Sequence, residues 1–217
     1  MGLQPIKAKV LAVRIIANVD QALVKQFNLE KHHRSIGIIT TTIDDVGYTA
    51  IDEATKQSDV DVVYARSFYA GAAHSSGPLS GEFMGIIAGP SPDEVRSGIE
   101  AAETVIQYDA HFEALDSEGN HAFYAHVVAR TGSYLSKLAG IKTGEPLAYL
   151  IAPPLEAMYG LDAALKAADV ELVTFFGPPS ETNFGGGLLT GSQSACRAAA
   201  DAFRESIIDI AKQPLVY

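Results

Sequence analysis

Cysteine is scarce in this sequence, since Cys196 is the only one among 217 residues. A single cysteine excludes a disulfide within the chain, and no cysteine pair has the spacing of a zinc ribbon. Long apolar runs are also missing, because no segment reaches the roughly 18 consecutive apolar residues of a membrane-spanning helix. The first residues lack the apolar core and cleavage site of a secretory signal. We therefore expect a cytoplasmic protein without a membrane partner.

Positive charge is scarce as well. The chain has 16 Lys and Arg residues against 26 Asp and Glu residues, which gives a formal net charge of −10. Proteins that bind nucleic acids use an excess of Lys and Arg to neutralise phosphates, so this balance argues against a nucleic-acid partner. Small cationic ligands remain compatible with it.

The sequence also lacks the motifs of common enzymes. There is no G-x-S-x-G, no H-E-x-x-H and no P-loop, and the glycines of "GGGLLTG" (residues 185–191) are predicted to precede a strand instead of opening a helix. Cys196 is predicted in the first turn of a helix, where a thiol can be activated, but no histidine is near it in sequence. We therefore predict that Cys196 is buried and inert and that the protein is not an enzyme.

What the chain does contain is an internal repeat. Residues 49–63 are "TAIDEATKQSDVDVV" and residues 159–173 are "YGLDAALKAADVELV". Aligning them superposes Asp52 on Asp162, about half the chain away. Three further segments match in the same order: residues 11–25 with 123–137, 35–40 with 146–151, and 85–99 with 187–201. With 47% hydrophobic residues, the chain is predicted to form two globular domains of roughly 110 residues each.

Each half is predicted to form a strand, a short helix, a strand, a helix, two strands and a long helix. β-Branched residues indicate that the first strand spans Val10 to Ala17. The long helix of the first half is predicted to begin after Ser91, which can cap it. Pro92 then takes the first helical position and Glu94 completes a capping box. The pattern predicts a mixed α/β fold.

Two long segments carry a family resemblance. They are "PLAYLIAPPLEAMYGLDAALKAADVELV" (residues 146–173) and "GGGLLTGSQSACRAAADAF" (residues 185–203), and they resemble bacterial microcompartment shell domains. Because "HAFYAHVVARTG" precedes the signature strand instead of closing the domain, the resemblance is to the circularly permuted version, present here twice. It implies a ferredoxin-like α+β sandwich, with one permuted shell domain at residues 1–113 and a second at residues 114–217.

Longer strings place the resemblance among the tandem shell proteins of the ethanolamine-utilization compartment, namely "DEATKQSDVDVVYARSFYAGAAH", "AHVVARTGSYLSKLAGI", "APPLEAMYGLDAALKAADV" and "PPSETNF". The resemblance implies a structural protein of the microcompartment shell that forms homotrimeric, pseudo-hexameric tiles with gated pores beside other shell proteins. Glycines and small polar residues predict mobile loops at residues 69–81 and 176–187, the second lining the central pore by resemblance. The alternative hypothesis is a metabolite-sensing regulator built from tandem ferredoxin-like domains.

Asp44 and Asp45 form an adjacent carboxylate pair after the predicted strand "SIGIITTTI". Residue type alone favours a solvated turn. The resemblance implies instead that the pair binds the amine of ethanolamine, with the site completed by Glu82, Phe112, Thr182, Asn183 and Phe184. The chemistry is suitable, because carboxylates bind an ammonium, Asn and Thr can serve a hydroxyl, and a Phe face attracts a cation.

Histidines offer a second kind of site. His126 lies on the predicted strand "FYAHVVA", where a lone histidine is usually packed against its neighbours. The resemblance implies that His126 and Glu156 can hold zinc, although two ligands are fewer than a structural or catalytic zinc needs. We therefore predict no required cofactor. His32 and His33 are predicted to lie in a solvated turn before a strand.

Overall fold

The computed structural model describes residues 3–68, 77–178, 180 and 183–215. The chain separates into two compact units. The N-terminal unit contains residues 7–110 together with 132–135, whereas the C-terminal unit contains residues 3–6, 111–131 and the residues after 135. The proposed division of the two repeats between residues 113 and 114 stays a prediction.

The first half of the chain alternates strands and helices in the predicted order. A short strand precedes that order, and a π-helical turn, Val105–Asp109, follows it. The elements are β1 (Gln4–Ile6), β2 (Val10–Ala17), α1 (Gln21–Gln26), β3 (Ser35–Thr41), α2 (Asp44–Gln57), β4 (Asp61–Ser67), β5 (Phe83–Gly89) and α3 (Pro92–Thr104).

The second half repeats the same order after one short strand. Its elements are β6 (Phe112–Ala114), β7 (Ala122–Val128), α4 (Ser133–Ala139), β8 (Leu147–Ala152), α5 (Pro154–Ala167), β9 (Val170–Phe176), β10 (Gly185–Gly191) and α6 (Gln193–Lys212). The predicted succession of elements is confirmed in both halves.

Each unit is built on an antiparallel sheet. The N-terminal sheet has the order β2-β3-β5-β4, and the C-terminal sheet has the order β1-β6-β7-β8-β10-β9. The four strands β7-β8-β10-β9 therefore reproduce the N-terminal sheet strand for strand, and β1 and β6 extend the C-terminal one. The predicted mixed α/β shell-domain fold is confirmed.

Local sequence signals were accurate for β2 and for the start of α3. The observed β2 has the predicted bounds, and the Ser91 side chain accepts a hydrogen bond from the Glu94 backbone N–H, with Pro92 opening the helix. The second half of the predicted capping box is wrong. The Glu94 carboxylate instead accepts a hydrogen bond from the Asp59 backbone N–H at 2.9 Å, so it serves the turn before β4.

Small residues let helices and aromatic rings approach closely in both cores. A Cβ atom added to Gly160 on α5 would lie 2.7 Å from the Phe203 ring on α6, and one added to Gly47 on α2 would lie 2.4 Å from the Phe83 ring. Both phenylalanines are fully buried. Within the described ranges, no helix combines the length and the apolar composition that crossing a bilayer would require.

The predicted mobile loops are only partly described. Residues 69–76, 179, 181 and 182 lie outside the described residues. The assignment of Gly185–Gly187 to the second loop is wrong, because these three glycines are buried in β10. Gly186 has a φ of 153°, and a Cβ atom there would lie 1.9 Å from the carbonyl oxygen of Leu150 on β8. The glycines therefore belong to a tight strand pairing.

Candidate functional site

Asp44 and Asp45 open α2, soon after β3 ends. Acidic side chains are favourable in the first turn of a helix, because its unpaired N–H groups give that end a partial positive charge. Both residues are buried, with 7% and 6% of their surfaces exposed. The solvated-turn interpretation of this pair is therefore wrong, and the N-terminal unit holds two adjacent carboxylates away from bulk water.

Hydrogen bonds fix both oxygens of the Asp44 carboxylate. Its Oδ1 accepts from the Asp45 backbone N–H at 2.9 Å, and its Oδ2 accepts from the Ser67 hydroxyl at 2.6 Å. Ser67 is the last residue of β4, so a helix start holds one oxygen and a strand end holds the other. The carboxylate is therefore oriented before any ligand arrives.

Glu82 adds a third carboxylate to this group. Its backbone N–H donates to the carbonyl oxygen of Thr41 at 2.9 Å, and its carbonyl oxygen accepts from the Phe68 N–H at 3.0 Å. Burial raises the pKa of Glu82 above its ordinary value, and the negative charge of Asp44 raises this pKa further. We call Asp44, Asp45 and Glu82 the carboxylate cluster. Asp44 and Asp45 are buried, and the charge of Asp44 acts against ionisation of Glu82, so a cation placed between Asp44 and Glu82 would relieve that repulsion.

The aromatic members of the predicted site belong to the C-terminal unit. Phe112 on β6 is buried, and its ring stacks on Tyr124 with the centroids 5.2 Å apart. The ring of Phe184, just before β10, meets the Phe112 ring edge to face at 6.0 Å. Asn183 beside it has a positive φ of 67°, and Thr182 lies outside the described residues. The predicted residues thus form two groups, one in each unit.

The predicted zinc ligands both lie in the C-terminal unit. His126 is half-buried on β7, with its ring stacked on Tyr124 at 5.5 Å. Glu156 lies in the first turn of α5, where its Oε1 is 2.9 Å from Nε2 of His121. The two atoms are at ion-pair distance, but they are not aligned as a hydrogen bond. His121 was not predicted from sequence; it follows a turn in which the Asp116 carboxylate accepts the His121 backbone N–H at 2.8 Å.

A second group of potential metal ligands lies in the N-terminal unit. Donor atoms of His32, His33 and Asp61 all lie within 4.8 Å of one another. His33 is buried, so its assignment to a solvated turn is wrong, whereas His32 is exposed. Nδ1 of His33 accepts the Glu30 backbone N–H at 3.2 Å, and its Nε2 lies 3.0 Å from Asp61 Oδ2. Both ring nitrogens of His33 therefore already have a partner, and a metal would have to displace one of them.

Cys196 is fully buried near the start of α6, and burial raises the pKa of its thiol. A thiol with a raised pKa holds little of the reactive thiolate at neutral pH. The predicted burial of Cys196 is therefore confirmed. The raised pKa of its thiol agrees with the prediction that Cys196 is inert.

The chain is similar to a known domain family and, over nearly its whole length, to known proteins. The family model of the BMC domain matches residues 35–115. The bacterial microcompartment shell protein EutL of Clostridium perfringens (strain 13 / Type A) is 60% identical over 210 residues, which cover 97% of this chain and 97% of that protein. EutL of Escherichia coli (strain K12) is 52% identical over 214 residues, which cover 99% and 98%.

A solved structure agrees with these sequence matches. The crystal structure of the ethanolamine utilization protein EutL from Leptotrichia buccalis C-1013-b has a TM-score of 0.96 and 59% identity, covering 100% of both chains. The present chain therefore belongs to the EutL family of bacterial microcompartment shell proteins. The predicted resemblance, the non-enzymatic structural role and the location in a microcompartment shell are confirmed.

Proposed function

We propose that this protein is a homotrimeric, pseudo-hexameric tile of an ethanolamine-utilization microcompartment shell, and that the tile carries gated pores and binds ethanolamine. Its relatives include a bacterial microcompartment shell protein and an ethanolamine utilization protein. Each chain supplies two shell domains, so three copies suffice for a closed ring of six. Other shell proteins would then be its lateral partners.

The carboxylate cluster is the observation that carries the ligand proposal. Ethanolamine has one ammonium group and one hydroxyl group, and Asp44, Asp45 and Glu82 supply anionic acceptors for the ammonium. Charge-assisted hydrogen bonds of this type are shorter and stronger than neutral ones. Burial and the negative charge of Asp44 raise the pKa of Glu82, and an ammonium ion bound beside it would favour the ionised form again.

The hydrogen bond between Ser67 and Asp44 links the carboxylate cluster to the start of the loop at residues 69–81, which we propose takes part in gating the pore. Ser67 comes just before the loop of residues 69–81, which the sequence predicts to be mobile. An ammonium bound to Asp44 Oδ2 competes with the Ser67 hydroxyl and so acts where that loop begins. A ligand shifts a conformational equilibrium only by its differential affinity for the two states, and ethanolamine is proposed to favour the closed pore.

The remaining predicted residues are part of the same proposal. Phe112, Thr182, Asn183 and Phe184 are proposed to contribute to ethanolamine binding, and zinc is proposed to bind weakly to His126 and Glu156. Two protein ligands leave a zinc ion short of the usual three or four, so zinc is not required for folding. Calorimetric titration of zinc into His126→Ala and the unaltered protein tests this assignment, and equal affinities would reject it.

Isothermal titration calorimetry with ethanolamine tests the cluster directly. Asp45→Asn should weaken binding roughly tenfold or more, because a hydrogen bond to a charged group contributes about 1.5–3 kcal/mol. Asp209→Asn, an exposed aspartate on α6, is the matched control and should leave the affinity unchanged. An unaltered affinity in Asp45→Asn would remove the site.

Electron microscopy of the purified protein tests the tile. Flat hexagonal arrays are expected, whereas the metabolite-sensing regulator considered from sequence has no need to form sheets. Isolated particles at every concentration would contradict the tile, and this outcome would leave the ethanolamine titration interpretable by itself.

A further inference from the structure

Two adjacent histidines and an aspartate meet at one end of the N-terminal sheet. His32 and His33 come just before β3, and Asp61 is the first residue of β4. β3 and β4 each pair antiparallel with β5, so they run parallel to each other and begin at the same end of the sheet. One donor atom from each of the three side chains lies within 4.8 Å of the other two. We call His32, His33 and Asp61 the histidine cluster.

We propose that the histidine cluster binds one divalent metal ion of the kind that imidazole prefers, such as zinc, nickel or copper. Two imidazoles and one carboxylate are a ligand set that these metals accept. Calcium and magnesium prefer oxygen ligands alone, so they should bind much more weakly. Three protein ligands leave one position of a tetrahedral zinc for water. The site does not depend on the proposed tile or on ethanolamine binding.

The distances in the cluster are close to those of a zinc site. Bonds of about 2.0–2.1 Å place two ligands of a tetrahedral zinc roughly 3.4 Å apart. Nε2 of His33 and Oδ2 of Asp61 are 3.0 Å apart, and the ring centroids of His32 and His33 are 4.1 Å apart. A separation of 4.8 Å would have to shorten by about 1.4 Å. Side-chain rotation can provide this, because the His32 and Asp61 side chains are 48% and 52% exposed.

His33 is the ligand that the fold holds in place. Its side chain is only 3% exposed, and its backbone N–H donates to the Glu30 carbonyl oxygen at 3.0 Å. A metal bound at Nε2 would replace the hydrogen bond to Asp61 and leave the ring proton of a neutral imidazole on Nδ1. Nδ1 could then no longer accept the Glu30 N–H, which is the cost of binding. Glu30 is exposed, so water can accept that N–H instead.

The surroundings supply an outer-shell partner and a route of entry. Oε2 of Glu30 is 3.6 Å from Nδ1 of His32, so this carboxylate can orient the His32 ring when the ring binds a metal. His33 lines a cavity of about 630 Å³, through which a hydrated ion can reach the cluster. Lys31 and Arg34 line the same cavity, so their charges oppose those of the carboxylates. Affinity must therefore come from the ligand bonds, which again favours metals that bind imidazole.

The second repeat lacks both histidines. Extending the alignment of residues 35–40 with 146–151 back by three residues places Thr143 opposite His32 and Gly144 opposite His33. Asp61 is matched by Glu171, so only the carboxylate is kept. Each chain is therefore expected to have one site of this kind, in its N-terminal unit.

A bound ion would join the segment before β3 to the start of β4 across the end of β5. The three chain segments are already close there, because the backbone N–H of Arg34 donates at 2.9 Å to the carbonyl oxygen of Gly89, the last residue of β5. The unfolded chain does not hold the three ligands together. An ion that binds the folded protein more tightly than the unfolded chain raises its stability. Zinc should therefore raise the unfolding temperature.

Calorimetric titration of zinc tests the site in the full chain without a histidine tag. The protein should carry His126→Ala and Glu156→Gln, which remove the zinc ligands proposed in the C-terminal unit, and it should bind one zinc ion per chain. His32→Ala or Asp61→Asn added to this protein should weaken the affinity roughly tenfold or more, because even an outer-shell partner commonly contributes about 10–100-fold. Both side chains are half-exposed, so these variants are expected to fold.

His111→Ala, which removes a partly exposed histidine outside the cluster, is the matched control and should keep the affinity. Zinc should also raise the unfolding temperature of the parent protein more than that of the Asp61→Asn variant. Absence of zinc binding, an unchanged affinity in both cluster variants, or calcium binding as tight as zinc binding would overturn the site. Each of these results would leave the proposed tile and the ethanolamine site standing.

Discussion

The carboxylate of Asp52 and the backbone N–H of Gly132 are joined by a 2.7 Å hydrogen bond inside the N-terminal unit. Asp52 has no exposed surface, and burial raises its pKa, while hydrogen bonds from Gly132 and Leu135 oppose that shift. A glycine is needed at 132, because a Cβ atom there would lie 2.4 Å from the Asp52 carbonyl oxygen. The pair therefore depends on both residue types.

Asp52→Asn should lower the free energy of unfolding by about 1–3 kcal/mol. An asparagine has one acceptor oxygen, so its amide N–H groups would face one of the two backbone donors that Asp52 now satisfies. Removing a buried charge offsets part of this loss. Urea denaturation followed by circular dichroism measures the change, with Asp209→Asn as the control. Equal midpoints for Asp52→Asn and the unaltered protein would contradict the structural role.

Glu82→Gln should remove a pH dependence from the stability. The folded-state pKa of Glu82 lies above its ordinary value of 4.5, so the folded protein binds that proton more tightly than the unfolded chain does. The resulting contribution to stability is fully present below about pH 4.5 and is lost as the pH rises through the folded-state pKa. Relative to the unaltered protein, Glu82→Gln should therefore gain stability between pH 4.5 and neutral pH.

Denaturation at several pH values between about 4 and 7 measures this difference. Addition of ethanolamine should narrow it, because a bound ammonium favours the ionised Glu82 that only the unaltered protein has. Stability curves that run parallel for the two proteins would show that neither burial nor the Asp44 charge raises the pKa of Glu82 in the folded state.

Arg204→Lys should destabilise the C-terminal unit by about 1–2 kcal/mol. The Arg204 guanidinium donates to Glu113 from Nε at 2.9 Å and from Nη2 at 2.7 Å, and lysine cannot make both bonds in this geometry. Arg96→Lys is the matched control, since Arg96 is well exposed and lies 3.6 Å from Asp93. In thermal unfolding, Arg204→Lys should lose more stability than Arg96→Lys. An equal loss of stability in the two variants would argue against the paired hydrogen bonds between Arg204 and Glu113.

Gly186→Ala should cost about 3 kcal/mol or more. The φ of 153° is unfavourable for alanine, and the added methyl group would overlap the Leu150 carbonyl oxygen across the β10–β8 pairing. Gly177→Ala is the control, because the nearest atom to its added Cβ lies 3.4 Å away. A soluble, fully stable Gly186→Ala protein would mean that the strand can shift to make room.

Sequence patterns predicted the elements well where the signals are local. The bounds of β2 and the cap of α3 depend on residues within a few positions, and both are observed. Glu94 shows the limit of this approach, because its partner, the Asp59 N–H, lies 35 residues away. A capping pattern cannot reveal a competing acceptor or donor that folding brings from elsewhere.

The carboxylate cluster was predictable only through resemblance. Residue type placed Asp44 and Asp45 in a solvated turn, since nothing local indicates that Ser67 and Glu82 approach from two other elements. His33 was misassigned for a similar reason, as its partner Asp61 begins a distant strand. Burial of polar residues is set by tertiary neighbours, and single-sequence patterns do not contain that information.

The pairing of β1 with β6 affects when the two units can fold during synthesis of the chain. Residues 3–6 leave the ribosome more than 100 residues before the rest of the sheet that they join, which begins only after residue 111. The N-terminal unit likewise needs residues 132–135, which are translated after the rest of it has emerged. Neither unit can be completed during translation until part of the other repeat has been made, so folding of the two repeats is linked in time.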